Sequence, residues 1–126
     1  MKFSRVVLKV KDYRQSFEFY HDLLGLKMTT SWQREDSWGA IFSVGPSSVE
    51  IIWYPQGDGF DDCNYVLERQ KIELFFDADD VDIMFQRLVD KGADVIKKPF
   101  NAAWGYRLFK IKDPDGIPVA FIEPVK

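Results

Sequence analysis

The same arrangement of secondary structure occurs twice in this chain, and this internal repeat limits the possible folds more than any other feature. A short apolar strand, an acidic residue, an amphipathic helix and a terminating glycine occur over residues 5–25 and again over residues 72–92. Further strands are predicted after each helix. The sequence therefore predicts an α+β fold made of two tandem modules, each in the order β-α-β-β-β. Any chemistry is expected in a concave site between the two copies.

In the first copy, the spacing of apolar residues changes at an acidic residue from the two-residue period of a strand to the period of a helix. Residues 5–10 alternate between two faces, as in a strand with one covered side. Asp12 is the predicted N-cap, with Gln15 completing a capping box. Gly25 is predicted to end the helix in a left-handed conformation. The apolar stripe of this helix consists of Tyr13, Phe17, Tyr20 and Leu24.

The second copy repeats this pattern. Its first strand begins at Ile72, Asp79 or Asp80 is the predicted N-cap, and Gly92 is the predicted helix end. The buried stripe of this helix consists of Val81, Met84, Phe85 and Leu88. The strands that follow the two helices are predicted near residues 26–32, 38–44, 48–54, 93–97, 105–112 and 117–123.

A break in the pattern separates the copies. Residues 55–70 are rich in Pro, Gly and Asp, which indicates a loop or a lid between the modules. The predicted organisation is therefore module 1 over about residues 1–54, a linker over 55–70, and module 2 over about 71–126.

Charge and composition narrow the choice of partners and location. The net charge is −3 with both signs interspersed, so neither nucleic acid nor a membrane surface is an expected partner. No apolar run approaches transmembrane length and the first residues do not resemble a signal peptide, so we expect a cytoplasmic protein. Cys63 is the only cysteine and His21 the only histidine. The acidic residues before Cys63 argue against a reactive thiolate there.

Motifs over nearly the whole chain resemble the glyoxalase/bleomycin-resistance/dioxygenase superfamily, also known as the vicinal oxygen chelate fold. The matching residues are Val10-Lys11-Asp12 with Ser16, Phe19-Tyr20, Leu23-Leu24-Gly25, Asp80-Val81 with Leu88 and Gly92, Trp104-Gly105, and Asp113-Pro114-Asp115-Gly116. The resemblance implies one glyoxalase-like domain over residues 1–126, with a cupped mixed sheet and the helices on its outer face. It also implies a homodimer.

The resemblance further implies four metal-ligand positions, which His, Gln or Glu fill in metal-dependent members. Here they fall on Arg5, Glu50, Glu73 and Ala120, of which only Glu50 matches the family pattern outright. A guanidinium repels a cation, and an alanine side chain offers it no donor atom. Catalytic zinc, nickel or iron sites use at least three protein ligands. We therefore expect no metal cofactor; a divalent metal, if one binds, would use Glu50 and Glu73.

A cluster of charges could take the place of that metal. If the fold is as implied, Arg5, Glu50 and Glu73 converge on one wall of the cup, with the cation between two carboxylates. The alternative is that these groups lie at solvated strand ends and form no pairs.

Aromatic side chains are the other candidates for contact with a ligand, because flat rings bury a large area at a small cost in entropy. Gly105 favours a ligand-facing position for its neighbour Trp104, whereas Trp53 is expected under a helix. The candidates are Trp32, Trp38, Tyr54, Phe75, Trp104 and Tyr106.

Three functions agree with these residues. The first is a small-molecule-binding protein of the bleomycin-resistance type that sequesters an aromatic or cationic ligand, has no catalytic residues and can confer antibiotic resistance. The second is a divergent lyase, isomerase or epimerase that uses Glu50 and Glu73 as metal ligands or as a base. The third is a structural or regulatory module whose cup is filled by its own side chains.

Overall fold

Within residues 1–57 and 72–126, which the computed structural model describes, the chain forms two four-stranded sheets, each with its own helical segment. The chain divides into two compact units, Met1–Leu67 and Glu68–Lys126. Most of the predicted linker or lid, including Cys63, lies outside the described residues.

The N-terminal unit combines one parallel strand pair with an antiparallel ladder. Its elements are β1 (Arg5–Lys9), α1 (Tyr13–Phe17), a π-helical segment (Glu18–Leu23), β2 (Lys27–Gln33), β3 (Trp38–Val44) and β4 (Ser47–Trp53). The strand order is β1-β4-β3-β2, in which β1 is parallel to β4 and the other neighbours are antiparallel. Neighbouring parallel strands need a crossover connection. The helix supplies it together with β2 and β3.

The C-terminal unit has the same topology. Its elements are β5 (Leu74–Asp77), α2 (Val81–Asp90), β6 (Asp94–Asn101), β7 (Tyr106–Lys112) and β8 (Pro118–Pro124). The order is β5-β8-β7-β6, in which β5 is parallel to β8. The predicted α+β class and the two βαβββ modules are confirmed.

One strand is longer than the sequence predicts. The sequence predicts this strand near residues 93–97, but β6 runs to Asn101 and includes Pro99. β6 has a strand partner on one side only, and its pairing shifts register on both sides of Lys97. An edge strand with such irregularities can contain a proline, because the missing N–H removes no bond from the interior of the sheet.

The helical segment of each unit begins and ends as predicted, counting α1 and the π-helical turn after it as one segment. Asp12 accepts the Gln15 N–H, and Asp80, not Asp79, accepts the Ile83 N–H, each at 3.0 Å. Gly25 and Gly92 follow the helices with φ of 73° and 90°. None of the helices in the described ranges has the length and apolar character needed to cross a membrane.

The first helix departs from the regular helical period in its second half. The Leu24 N–H bonds to the Phe19 carbonyl, five residues earlier, at 3.0 Å. This wider turn buries Phe19 beside Tyr20, whereas the predicted stripe included only Tyr20 of the two. A search for a 3.6-residue period does not foresee such a change of pitch.

In the N-terminal unit, the helical segment covers one face of the sheet. Ring centroids of Phe17 and Phe42 lie 5.9 Å apart, and those of Tyr13 and Trp38 lie 5.8 Å apart. Neighbouring residues of a strand point to opposite faces, and paired residues on adjacent strands share a face. We call the face away from the unit's own helix its distal face. In this unit the distal face carries Arg5, Val7, Trp32, Gly39, Ile41, Glu50 and Ile52.

The C-terminal unit is organised in the same way. Phe85 of α2 lies 5.2 Å from Phe109, and Phe109 stacks on Phe121 at 5.1 Å, so these two strand residues mark the helix-covered face. The distal face of this unit carries Glu73, Phe75, Tyr106, Leu108, Lys110, Ala120 and Ile122. Each sheet therefore has one face packed against its own helix and one face with a mixture of charged, aromatic and small residues.

The N-cap assignment makes a prediction about stability. Replacing Asp80 with Ala leaves the Ile83 N–H without its acceptor, so the free energy of unfolding should fall by about 1 kcal/mol. Asp79→Ala removes the same charge one residue earlier without removing the cap, and should change it by less than about 0.5 kcal/mol. Urea unfolding of both variants measures the difference, and equal losses would contradict the assignment.

Candidate functional site

The distal face of the N-terminal unit carries a partly buried ion pair. Parallel pairing places Val7 opposite Glu50, and Arg5 lies two residues before Val7 on the same face. The Arg5 Nε donates to Glu50 Oε1 at 2.8 Å. The Glu50 side chain is 10% exposed and that of Arg5 is 42% exposed. The carboxylate therefore depends on the guanidinium more than on water to balance its charge.

The distal face of the C-terminal unit carries a second ion pair with a different layout. The Lys110 Nζ donates to Glu73 Oε1 at 2.7 Å. Ala120 is the pairing partner of both Phe75 and Lys110, so it lies between their strands. Because the alanine side chain is short, the lysine has room to cross it and reach Glu73. The ammonium also lies 5.7 Å from the Phe75 ring centroid.

These pairs change how the predicted charge cluster is understood. The sequence predicted that Arg5 would lie between Glu50 and Glu73, and the structure places the first two together. Glu73 pairs with Lys110, which the sequence analysis did not single out. No local signal identifies Lys110, because its partner is 37 residues away and depends on the register of β5, β8 and β7. The three-residue cluster stays a prediction, and each carboxylate has a cation from its own unit.

The predicted aromatic residues of the N-terminal unit lie on different faces. Trp32 lies on the distal face, opposite Gly39. Trp38 is the pairing partner of Trp53, and their rings contact at 5.1 Å on the helix-covered face. Trp38 therefore differs from the ligand-facing position expected of it and packs inside the unit. Tyr54 follows β4 and is half-buried.

The aromatic candidates of the C-terminal unit lie on the distal face and in a turn. Phe75 is 46% exposed on the distal face, and Trp104 is 58% exposed in the turn before β7. The Trp104 ring lies 5.1 Å from that of Tyr106. Gly105 has φ of 91° and donates its N–H to the Ala102 carbonyl. The turn itself requires this glycine, because side chains disfavour that backbone region, so the glycine is no separate indication of a ligand.

Among the described residues, one group of carboxylates is close enough to suggest a metal site. Ligand oxygens of Asp80, Asp82 and Glu123 lie within 4.8 Å of one another. Asp80 caps α2, and Glu123 accepts the Val81 N–H at 3.1 Å. Asp82 accepts two bonds from Arg107, at 3.0 and 2.8 Å. These partners account for the cluster as the start of a helix, and we assign no metal to it.

The Asp82–Arg107 pair shifts the pKa values of both its members. The Arg107 guanidinium lowers the pKa of Asp82, mainly through its hydrogen bonds, and the carboxylate raises the pKa of Arg107. At the other unit, burial raises the pKa of the Tyr13 hydroxyl, which donates to the Gly39 carbonyl at 3.2 Å.

The single histidine lies apart from the candidate site. His21 belongs to the π-helical segment, where its ring stacks on Phe17 at 4.9 Å. Its Nδ1 lies 2.7 Å from Asp22 Oδ1, and the side chain is 43% exposed. His21 therefore lies at the surface of the N-terminal unit.

Comparison with known sequences gives a match over nearly the whole chain. The sequence profile of the Glyoxalase/Bleomycin resistance protein/Dioxygenase superfamily matches residues 2–121. Among curated proteins, the uncharacterized protein YraH of Bacillus subtilis (strain 168) is 32% identical over 120 residues, which cover 91% of this chain and 92% of YraH.

Solved structures with the same fold include a binding protein and a glyoxalase-family protein. TnmS3, an antibiotic binding protein from Streptomyces sp. CB03234, superposes with a TM-score of 0.75 at 21% identity, covering 98% of this chain and 96% of TnmS3. A glyoxalase family protein from Bacillus cereus gives a TM-score of 0.79 at 18% identity, covering 100% and 95%. At these identities the likeness establishes the fold.

The two ion pairs should differ in strength, because their burial differs. A double-mutant cycle with Arg5→Met and Glu50→Gln should give a coupling free energy of about 1–3 kcal/mol, since the carboxylate is nearly dry. The matched cycle with Lys110→Met and Glu73→Gln should give less than about 1 kcal/mol, since the Glu73 carboxylate is 40% exposed and water screens it. Chemical unfolding of the wild type, the four single variants and the two double variants measures both couplings. An equal or larger coupling for the second pair would contradict the assigned burial.

The Asp82–Arg107 pair should make stability depend on pH. Because the folded pKa of Asp82 lies below its unfolded value, the pair stabilises the fold above the unfolded pKa, and this contribution is lost as the pH falls through the folded pKa. The stability difference between wild type and Arg107→Met should therefore shrink from neutral to acid pH. Asn101→Ala removes another partner of Arg107 that does not titrate, and its effect should not shrink in this way. Unfolding curves over that range provide the measurement.

Proposed function

The chain belongs to the Glyoxalase/Bleomycin resistance protein/Dioxygenase superfamily, and on this basis we propose that it binds a small aromatic molecule without a catalytic metal. The observation that carries the proposal is the 2.8 Å ion pair between Arg5 and Glu50. Glu50 is the residue that best matches the ligand pattern implied by the resemblance, and its carboxylate already faces a permanent cation.

The remaining positions of that pattern also fit a metal poorly. Glu73 is held by Lys110 at 2.7 Å, and Ala120 offers no donor atom. A divalent cation at either carboxylate would displace an ammonium or a guanidinium, or approach it closely. The donor set therefore falls below the three protein ligands that catalytic sites of zinc, nickel or iron use. Charge pairing, rather than metal binding, is the role we propose for these acids.

The charges favour a neutral aromatic ligand over a cationic one. The sequence suggested that two carboxylates would attract a cation, but Arg5 and Lys110 balance Glu50 and Glu73 one to one. The distal faces also carry apolar and aromatic surface, including the half-exposed ring of Phe75. Large exposed apolar side chains beside fixed polar groups are typical of sites for small molecules.

The comparison with TnmS3 supports capture of a ligand rather than its conversion. TnmS3 is an antibiotic binding protein, and its fold matches this chain over 98% of the chain length. We propose a similar role in sequestration, with antibiotic resistance as one outcome. A cytoplasmic homodimer is part of the same proposal.

A lyase, isomerase or epimerase is the second candidate. The observation in its favour is the low exposure of Glu50, because a desolvated carboxylate can act as a base. Arg5 opposes this role, since it occupies one of the oxygens that would take up the proton. A structural or regulatory module with a filled cup is the third candidate.

A thermal-shift screen of neutral aromatic compounds tests the proposal. A ligand that binds only the folded protein adds about 2.7 kcal/mol of stability at a hundred times its Kd, so hits should raise the Tm and be recovered unchanged by mass spectrometry. A broad screen without any rise in Tm would favour the structural module. Stoichiometric metal that co-purifies with wild type and is lost in Glu50→Gln would favour the enzyme.

A further inference from the structure

The Trp32 indole lies flat on the backbone of its own sheet. A Cβ added at Gly39 would lie 2.6 Å from both Cε2 and Cη2 of Trp32, and closer still to Cζ2, the atom between them. In an edge-on approach both outer atoms would lie much farther from the Cβ than Cζ2 does. Because they are only slightly farther, that Cβ lies along the normal to the ring at Cζ2. The ring therefore covers Gly39 face-on, and only glycine leaves the space for it.

A hydrogen bond fixes the ring in its own plane. The Trp32 Nε1 donates to Ser37 Oγ at 3.2 Å, and Ser37 is 7% exposed. Ser37 is itself held in the β2–β3 connection, where its carbonyl accepts the Arg34 N–H at 2.9 Å. The indole is thus fixed at one face by Gly39 and at one edge by Ser37.

The electrostatic surroundings of the ring disfavour a cationic partner. The Arg34 guanidinium lies over the Trp32 ring, 5.6 Å from its centroid. Because Gly39 covers one face of the ring, this guanidinium lies over the other face, where an aromatic ring would stack beside it or in its place. A second cation there would meet the repulsion of the first, whereas a neutral or anionic ring would not. Trp32 is half-buried, so part of its surface is exposed on the same sheet face as Glu50.

From these contacts we infer that Trp32 is a preformed stacking platform for a planar, neutral or anionic aromatic ring. Gly39 and Ser37 are its positioning residues. This inference rests on the proposed binding function and names its ligand class and subsite. Offset stacking suits a ring whose orientation is already fixed, because little side-chain freedom is lost on binding.

The test uses 2-naphthol and its saturated counterpart decahydro-2-naphthol, which share a skeleton and a hydroxyl but differ in planarity. The chain has four tryptophans, so 15N-labelled protein gives four indole N–H signals, and Trp32→Phe identifies the one from Trp32. Titration with 2-naphthol should shift the Trp32 signal and leave the Trp38 and Trp53 signals in place. The saturated compound should leave the Trp32 signal unmoved at the same concentration.

The positioning residues have their own variants. Gly39→Ala places a methyl group where the ring lies, so it should displace the Trp32 signal in the free protein and weaken 2-naphthol binding about three- to tenfold. Ser37→Ala should weaken binding in the same direction without added bulk, and Ser37→Thr, which keeps a hydroxyl, should restore it. The serine variants keep the test available if Gly39→Ala does not fold.

Two results would overturn the platform. One is equal shifts of the Trp32 signal with the planar and the saturated compound. The other is a Trp32 signal that 2-naphthol leaves unmoved, whether or not other signals shift. Neither result contradicts the proposed function while aromatic compounds still raise the Tm, so failure of the subsite and failure of the function are distinguishable.

Discussion

The parallel pairing of the first and last strands of each unit is the constraint on which the rest of the structure depends. β1 lies beside β4, and β5 beside β8, so the intervening chain must leave one sheet edge and return to it. In each unit a helix begins this crossover and packs on one face of the sheet, where its apolar stripe is buried. The opposite face does not receive that helix, and it is there that charged, aromatic and small residues occur together.

The same pairing determines which charges meet. In the N-terminal unit it places Glu50 beside the first strand, where Arg5 is within hydrogen-bond distance. In the C-terminal unit the corresponding pairing partner is Ala120, and the space above it is crossed by Lys110 on its way to Glu73. The two copies thus have the same backbone arrangement, but they carry the acid and the base on different strands. In the N-terminal unit, Glu50 on the last strand pairs with Arg5 on the first strand. In the C-terminal unit, Glu73 beside the first strand pairs with Lys110 on the third strand.

This arrangement supports the proposal that the protein holds a molecule rather than activates one. The cations paired with Glu50 and Glu73 place positive charge where a metal ion would bind. A rigid indole over Gly39 offers area and orientation instead. The sequence predicts a ligand-facing position for both Trp32 and Trp38. The register separates them, since Trp38 pairs with Trp53 under the helix and Trp32 pairs with Gly39 on the distal face.

Local sequence signals determined the elements of this protein, and long-range register decided what those elements bring together. Asp12, Gly25, Asp80 and Gly92 mark the helix limits through hydrogen bonds and backbone angles that involve near neighbours, so the chain itself encodes them. The extent of β6 and the π-helical turn depend on sheet edges and packing, and the local sequence pattern predicted neither.

The partners of Glu50 and Glu73 lie 45 and 37 residues away along the chain. A shift of one residue in pairing would turn each side chain to the other face. The repeat therefore predicted the backbone arrangement and the residues of a candidate site. Only the tertiary structure decided that its acids are paired and which of Trp32 and Trp38 lies on the distal face.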